Sequence, residues 1–165
     1  MDAPLARLNA LPAADAEAEL LACCASPAWA AGVAAGRPYR DRAELLATAE
    51  RVLSGLAWGD VEQALAGHPR IGERAAGDGR AAAWSRGEQA GTAAASEQTR
   101  AALAAGNAEY ERRFGHVYLA CATGRDATEL LELLRGRLGN DPQAERQVVR
   151  AELGKITRLR LEKLL

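Results

Sequence analysis

The residues best suited to chemistry lie in one stretch, residues 67–89, which contains His68 and ends in the run Ser85-Arg86-Gly87-Glu88-Gln89. A helical pattern, DVEQALAG, precedes His68, and Pro69 follows it at once. We predict that Gly67 ends this helix in a left-handed cap and that Pro69 holds His68 in an extended conformation. His68 is then expected on a fixed corner at the mouth of a loop, where catalytic side chains are often found.

The sequence leaves two hypotheses open for His68 and Glu88. A histidine after a helix end can simply bind the last carbonyls of that helix. Glu88 follows Ser85 with the spacing of a capping box, so we predict that Ser85 caps a helix whose first turn carries Glu88 and Gln89. In the other hypothesis His68 transfers protons, Glu88 supplies a carboxylate, and Ser85 and Gln89 hydrogen-bond a small polar molecule.

A second candidate site residue lies in the last predicted helix. Val149, Leu153 and Ile156 are spaced by four and three residues, and Arg160 continues that row, whereas Arg158 does not. A charge on an apolar stripe must be paired or face a cavity, which suits an anion clamp. The alternative is that the Arg160 stem lies on apolar surface while the guanidinium reaches water.

Metal and nucleophilic-thiol chemistry are poorly supported. His68 and His116 are far apart in the chain and no paired-ligand motif accompanies them, so no metal site is predicted. The three cysteines are odd in number and form no C-x-x-C motif, which indicates a reducing compartment rather than a disulfide framework. Cys121 lies in an apolar run, so we expect it in the core.

No cofactor is predicted either. The only lysines, Lys155 and Lys163, fall in a helical pattern near the C-terminus, which makes a pyridoxal Schiff base improbable. The sequence has no P-loop, and no G-x-G-x-x-G follows a strand, so nucleotide cofactors are not indicated.

Composition narrows the possible partners. The net charge is -1, the pI is about 6.2 and aromatic residues are 4%, which argues against nucleic acid as a partner. No apolar run approaches membrane-spanning length, and the N-terminus does not have the pattern of a signal peptide. We therefore predict a cytoplasmic protein. The candidate site residues, with Arg160 as an anion clamp, suit proton-transfer chemistry on a small polar anion.

The length of 165 residues suits a single domain over residues 1–165. Asp41-x-x-Glu44 and Asp126-x-x-Glu129 are predicted capping boxes, and Asp60 is predicted to cap the helix before His68. Further helix starts are predicted at Ser26-Pro27, Ser96 and Asp141-Pro142. Residues 69–84 are expected to be mostly loop with room for one turn of helix, and residues 116–122 an isolated extended segment without a partner strand. The predicted helices span 14–24, 27–36, 42–57, 61–66, a stretch after Ser85, 97–113, 127–138 and 142 to about 162. The fold class is therefore all-α, a compact bundle of roughly seven to nine helices.

Four runs together carry a resemblance to a known family: GHPRIG, SRGEQ, GNAEYERRFGHVYLACATGR and the C-terminal RLGNDPQAE with ELGKITRLRLEKLL. They resemble OHCU decarboxylase, whose substrate is 2-oxo-4-hydroxy-4-carboxy-5-ureidoimidazoline. The runs LNAL, ACCASPAW and GRPY extend the resemblance over nearly the whole chain. Where this chain has His116, the family often has an apolar or aromatic residue.

The resemblance implies an all-helical, cofactor-free enzyme that converts OHCU to (S)-allantoin with loss of carbon dioxide during uric acid breakdown. Family members are typically dimers, so a homodimer is expected. The resemblance also implies catalytic roles for His68, Glu88 and Arg160, and substrate contacts for Pro69, Ser85, Gln89 and Leu119.

Two alternative functions remain on the sequence alone. One is another cofactor-free lyase or isomerase that acts on a different small anion. The other is a non-catalytic helical interaction module. Such a module would show a contiguous exposed apolar stripe, and none is visible outside the predicted core faces.

Overall fold

Helices make up all the regular structure of residues 2–165, the part of the chain that the computed structural model describes. No strand forms within these residues, and a short 3₁₀ turn, Ala90–Thr92, follows the sixth helix. The all-α prediction with seven to nine helices is confirmed. The nine helices are α1 (Ala3–Ala10), α2 (Ala13–Leu21), α3 (Pro27–Ala35), α4 (Arg42–Ser54), α5 (Trp58–Leu65), α6 (Arg80–Glu88), α7 (Glu97–Phe114), α8 (Ala127–Arg137) and α9 (Pro142–Leu164).

Most predicted helix starts are formed by the expected side chains. The predicted caps Ser26, Asp41, Ser96, Asp126 and Asp141 each accept a hydrogen bond from the backbone N–H three residues on, at 2.8–3.2 Å. At the other end of α7, Gly115 adopts a left-handed conformation with φ 80°. The local signals were therefore sufficient to place five helix starts.

The signals around α5 were less accurate. The helix α5 begins at Trp58 after Ala57, so Asp60 lies in its first turn and the prediction that Asp60 caps it is wrong. The predicted left-handed cap at Gly67 is also wrong, because the right-handed Ala66 ends the helix and Gly67 is not among the glycines with positive φ. Gly67 instead lies against a neighbour, since a Cβ there would come 2.9 Å from the Cβ of Ala25.

The largest correction concerns α6. The helix begins at Arg80, with Gly79 as its N-cap, and ends at Glu88, with Gln89 as its C-cap. Ser85 therefore lies inside the helix, and the prediction that Ser85 caps it is wrong. Residues 69–79 form no helix, as expected, and residues 80–84 form the first turn of α6. The reason is the Ala-rich run that begins at Arg80, because alanine has the highest helix propensity and helix starts there without a side-chain cap.

The first of two structural units comprises Met1–Gly67 and Gly154–Leu165. It contains α1 to α5 and the end of α9. Trp29 of α3 is fully buried, and its indole Nε1 donates to the carbonyl of Ala49 in α4 at 3.1 Å. Leu20 of α2 and Leu45 of α4 are likewise fully buried. The unit thus has an apolar core of its own with a buried Trp whose polar atom is satisfied.

The second unit comprises His68–Leu153 and contains α6, α7, α8 and the first part of α9. Its core includes Leu103 and Tyr110 of α7 and Leu130 and Leu134 of α8. Gly106 lets α7 approach α8 closely, because a Cβ at that position would lie 2.6 Å from Leu134 Cδ2. The expectation of a single domain over residues 1–165 stays a prediction. Within residues 2–165 no helix is both long and apolar enough to cross a membrane.

Candidate active site

The last turn of α6 buries two polar side chains. Ser85 is 4% exposed and Glu88 is 8% exposed, and their spacing of three places them on one face of the helix. A carboxylate is unfavourable near a helix C-terminus, where the helix dipole is negative, and carboxylates are rarely this buried. Helix capping therefore does not explain Glu88, and the capping-box hypothesis is wrong for this pair.

The loop after His68 is attached to the end of α6. His68 and Pro69 are half-buried. The side-chain Oε1 of Gln89 accepts from the Gly72 N–H at 2.9 Å, and its Nε2 donates to the Arg70 carbonyl at 3.3 Å. The Gln89 side chain thus holds both sides of the turn that follows His68.

The helix α7 holds the same loop at two further points. Asn107, which is 3% exposed, donates from Nδ2 to the Ile71 carbonyl at 2.9 Å. The Arg70 guanidinium binds Glu111, with Nε 2.7 Å from Oε1. Gly72 has φ 93°, a left-handed conformation that glycine adopts without strain. The corner predicted for His68 therefore lies at the start of a loop that several side chains fix.

Arg160 is buried in the first unit. It is 3% exposed, and its Nη1 donates to the Ala22 carbonyl at 3.2 Å. The alternative in which its guanidinium reaches water is wrong. Arg158, by contrast, has a side chain that is 48% exposed and pairs with Glu50 at 2.8 Å and Glu162 at 3.3 Å. These surroundings favour Arg160 over Arg158 as an anion clamp, because only Arg160 is shielded from solvent.

A buried thiol lies in the electrostatic environment of Arg160. Burial raises the pKa of Cys24 to about 11, although the Ser26 backbone, the nearby Thr157 side chain and the charge of Arg160 all lower it. Cys24 is therefore a neutral thiol near pH 7, and a neutral thiol is a weak nucleophile. The cysteines Cys23, Cys24 and Cys121 are all free and buried.

The segment 116–122 has no regular secondary structure, as predicted for an isolated run without a partner strand. Leu119 is 3% exposed, and its carbonyl accepts from Arg137 Nη1 at 2.6 Å. Cys121 is 9% exposed, which confirms the prediction that it lies in the core, and its N–H donates to Glu152 Oε1 at 3.4 Å. Side chains rather than a neighbouring strand thus bind these two backbone groups of the segment.

Sequence analysis missed the buried polar cluster behind these bonds. Arg137 is 8% exposed, Glu145 is fully buried, and the Arg137 Nε donates to Glu145 Oε1 at 2.7 Å. A signal was present, because Arg137 continues the buried row of Leu130 and Leu134 at a spacing of three. The same argument, that a charged residue which continues a buried apolar row must be paired or face a cavity, selected Arg160 in the last helix.

The cluster changes the proton affinities of its members. Burial is the main cause that raises the pKa of Tyr110 far above its usual range, with its hydrogen bond to Glu145 adding to the effect. Burial also raises the pKa of Tyr118 to about 12. Burial lowers the pKa of Arg137, but the hydrogen bond to Glu145 and its charge outweigh that and raise it. Both tyrosines therefore stay neutral and Arg137 stays charged at ordinary pH.

A cleft of about 330 Å³ borders Gln89 in the second unit. Its charged lining consists of Arg74, Arg86, Arg100 and Glu73, so the lining is positive overall. Arg86 is held in place, since its Nη1 donates to the carbonyls of Ala75 and Gly77 at 3.1 and 2.9 Å. Among residues 2–165 no group of three or more His, Cys, Asp or Glu side chains is placed to hold a metal ion.

Six of the seven predicted site residues belong to the second unit, and Arg160 belongs to the first. A helical chain that buries a carboxylate in the last turn of a helix and fixes a histidine-bearing loop fits the class of helical enzymes that act on small polar molecules. A family model described as OHCU decarboxylase matches residues 9–162. The chain belongs to that family.

Individual relatives agree with the family. The chain is 35% identical over 141 residues to a 2-oxo-4-hydroxy-4-carboxy-5-ureidoimidazoline decarboxylase from Amia calva, which covers 84% of this chain and 81% of that protein. It is 30% identical over 152 residues to the uric acid degradation bifunctional protein TTL from Arabidopsis thaliana, covering 90% of this chain and 47% of that protein. The resemblance seen in the sequence is therefore confirmed.

Solved structures agree on the fold. A crystal structure of OHCU decarboxylase in the presence of (S)-allantoin matches with a TM-score of 0.78 at 30% identity, covering 88% of this chain and 96% of that one. A crystal structure of (S)-allantoin synthase matches with a TM-score of 0.71 at 16% identity, covering 98% of this chain and 54% of that one. At that identity the second match shows the fold alone.

Proposed function

We propose that this protein is a carboxy-lyase that decarboxylates OHCU to (S)-allantoin in uric acid degradation. The family match over residues 9–162 is the observation that carries the proposal. The relative from Amia calva bears the name of that decarboxylase, and a structurally similar family member was solved in the presence of (S)-allantoin.

The proposed reaction needs three things from the protein. Loss of carbon dioxide leaves an electron pair, and the conjugated imidazoline of the substrate can accept it. The protein then binds the departing carboxylate, stabilises developing charge and controls delivery of a proton to one face. No electron sink from a cofactor is required, so we propose that the enzyme is cofactor-independent.

The proposed catalytic residues divide these tasks. Arg160 binds the substrate carboxylate, for which a guanidinium offers two parallel donors. His68 exchanges protons, since the reference pKa of histidine is about 6.5. Glu88 orients or polarises His68 or an N–H of the substrate. Burial of Arg160 and Glu88 supports these roles, because charges shielded from water interact more strongly with a ligand.

The remaining site residues are proposed to contact the substrate. They are Pro69, Ser85, Gln89 and Leu119. Ser85 is buried beside Glu88 on α6 and carries a hydroxyl that can donate or accept. Gln89 uses one donor and one acceptor on the loop after His68, which leaves its second N–H for a ligand.

We further propose that the protein is cytoplasmic and a homodimer, and that its partner is a small anionic molecule rather than nucleic acid or a membrane. The free cysteines support a reducing compartment. Family resemblance supports the dimer. Light scattering of the purified protein at several concentrations tests the dimer directly.

One experiment tests the proposed function. OHCU is generated immediately before use, and formation of (S)-allantoin is followed by optical activity with and without the protein. We expect fast, stereospecific formation of the S product, unchanged after exhaustive dialysis against a chelator. An optical signal that develops no faster than in the protein-free control would overturn the decarboxylase, and a rate restored only by added metal would overturn cofactor independence.

A further inference from the structure

The cleft that borders Gln89 carries positive charge that its own lining does not neutralise. Its charged side chains are Arg74, Arg86, Arg100 and Glu73. The carboxylate of Glu73 lies 3.8 Å from the guanidinium of Arg70, which is not part of the lining. Within residues 2–165 none of the three arginines in the cleft forms an ion pair. The cleft is therefore electropositive in a chain whose net charge is -1.

Backbone carbonyls hold two of these guanidinium groups in place. Arg86 donates from Nη1 to the carbonyls of Ala75 and Gly77 at 3.1 and 2.9 Å, and Arg100 donates from Nη2 to the Ala93 carbonyl at 2.8 Å. A neutral carbonyl orients a guanidinium without cancelling its charge, and these bonds occupy fewer than half of its N–H donors. Donors that are already oriented bind a ligand at a lower entropic cost.

The helix dipole and a neighbouring groove show that this charge is concentrated in the cleft. Arg100 lies near the start of α7, where the dipole is positive and disfavours a cation, so the helix adds to the positive potential. A groove of about 510 Å³ in the same unit has the opposite arrangement, because its lining pairs two arginines with two glutamates, Arg125, Arg137, Glu129 and Glu132. The excess of positive charge is thus a property of the cleft that the groove does not share.

The size and charge of the cleft define the class of molecule that fits it. Its volume of about 330 Å³ falls within the range of small-molecule sites, about 300–1,000 Å³. Guanidinium groups bind carboxylates and phosphates through parallel N–H bonds. Three of them around one cavity favour a ligand with more than one negative group, since a single negative charge would leave most of the repulsion between them in place.

We propose that this cleft is a binding site for a small polyanion, whose phosphate or carboxylate groups bind Arg74, Arg86 and Arg100. Gly72 and Gln89 also line the cleft, so the ligand lies against the hydrogen bond that joins them and holds the turn after His68. The inference goes beyond the decarboxylation, because none of the three arginines is assigned to that reaction and binding is measured without OHCU.

Two polyanions of different chemistry serve as probes. Inorganic pyrophosphate carries phosphate groups and citrate carries carboxylates, and acetate is the singly charged comparison. Isothermal titration calorimetry at low ionic strength measures the affinity of each probe, because salt screens exposed charges. Backbone amide shifts in NMR spectra locate the site on the chain.

Three variants separate the cleft from other places where an anion can bind. The cleft variant, Arg74→Gln/Arg100→Gln, removes two charges from the lining. The matched control, Arg112→Gln/Arg135→Gln, removes two exposed charges of the same unit that lie outside the lining. The clamp variant, Arg160→Lys, alters the residue proposed to bind the substrate carboxylate.

We expect saturable binding of pyrophosphate or citrate, with acetate at least about tenfold weaker because it carries less charge. The probe that binds more tightly identifies phosphate or carboxylate as the preferred group. The largest shift changes should fall on amides that line the cleft, those of Gly72, Ala90 and Ala93. The cleft variant should bind at least about tenfold more weakly, the scale of a charge-assisted hydrogen bond, while the control and the clamp variant stay within about threefold of wild type.

Absence of binding for both polyanions at low ionic strength would overturn the inference. An equal loss of affinity in the control would overturn it too, because the attraction would then be to surface charge in general. Loss of binding in the clamp variant with wild-type affinity in the cleft variant would assign the anion to Arg160 instead of the cleft.

If the cleft variant does not fold, Arg74→Gln decides by itself. Arg74 makes no hydrogen bond or ion pair within residues 2–165, so its replacement breaks no contact of the fold. Polyanion affinity should fall at least about threefold in this variant, a smaller loss because only one exposed charge is removed. Wild-type affinity in the folded Arg74→Gln protein would overturn the inference.

Discussion

Three places in the chain carry one signature, a capping residue followed three positions later by glutamate, and the structure uses them in two different ways. At residues 41–44 and 126–129 the first residue caps a helix through its side chain. At residues 85–88 the same spacing lies in the final turn of α6 and both side chains are buried. The first two places stabilise helix ends, whereas the third buries polar groups that the helix itself does not need.

The difference shows what a short motif can and cannot indicate. Glu129 is exposed and Glu44 is partly exposed, and both lie where the helix dipole favours a negative charge. Glu88 is 8% exposed at the end where the dipole disfavours it. A side chain kept where electrostatics opposes it requires an explanation outside the helix, and a role in the active site is such an explanation.

The largest expected effect is at His68. We expect His68→Ala to lower the decarboxylation rate by about 10²–10⁴-fold, the usual contribution of a general acid–base group. The fold should survive, because His68 is half-buried on a loop that other side chains hold. Rate measurements on freshly made OHCU and far-ultraviolet circular dichroism check both statements. A folded variant with a near-normal rate would remove His68 from the mechanism.

Arg160 and Arg158 provide a second contrast, two residues apart on α9. Arg160→Lys keeps the charge but loses the fork that matches a carboxylate, so we expect KM to rise about 10–100-fold, the range of a charge-assisted hydrogen bond. Arg158→Lys should leave KM unchanged, because Arg158 makes only exposed ion pairs. The opposite result in steady-state kinetics would assign the clamp to Arg158.

Substitution of Glu88 tests whether the buried pair at residues 85–88 differs in function from the two capping pairs. Glu88→Gln keeps the shape of the side chain and removes its charge, so we expect at least about a tenfold lower rate, a modest loss for a positioned acid–base group. Glu44→Gln and Glu129→Gln carry the same change at the two capping sites and should leave the rate at its wild-type value. If all three variants have the same kinetics, the buried position of Glu88 has no catalytic meaning.

The sequence was sufficient for much of the fold because its information is local. Serine and aspartate before helices placed five helix starts, and apolar spacing identified the buried row that contains Ile156. The start of α6 was missed because no side chain caps it, and the Ser-x-x-Glu signature inside the helix resembled a start. Local patterns cannot show that a signature lies at the wrong end of its helix.

The proposed members of the site could be selected from the sequence, but the contacts that support them could not. His68, Glu88 and Arg160 were selected by chemistry, spacing and resemblance. The anchors of the His68 loop and of the 116–122 segment involve residues far apart in the chain, such as Asn107 with Ile71 and Arg137 with Leu119. Such contacts depend on which helices pack together, and a single sequence does not contain that information.

The smallest expected effect is at Asp41, which belongs to one of the two capping sites. Asp41 accepts from the Glu44 N–H at 2.8 Å and lies in the first unit, on no element assigned to the chemistry. Asp41→Ala should lower the free energy of unfolding by about 0.5–2 kcal/mol, the range for loss of an N-cap. The decarboxylation rate of the folded protein should not change.

Urea denaturation and substrate kinetics on the same preparation measure the two quantities together. Glu88→Gln should then show the inverse result, a reduced rate with a free energy of unfolding within about 1 kcal/mol of wild type, since a surviving side-chain amide still fills the same space. Asp41→Asn is the finer control, because asparagine caps about as well as aspartate and should restore stability. A rate loss in Asp41→Ala that Asp41→Asn does not restore would mean that the capping sites and the active site are coupled, and that one signature does not divide into two separate uses.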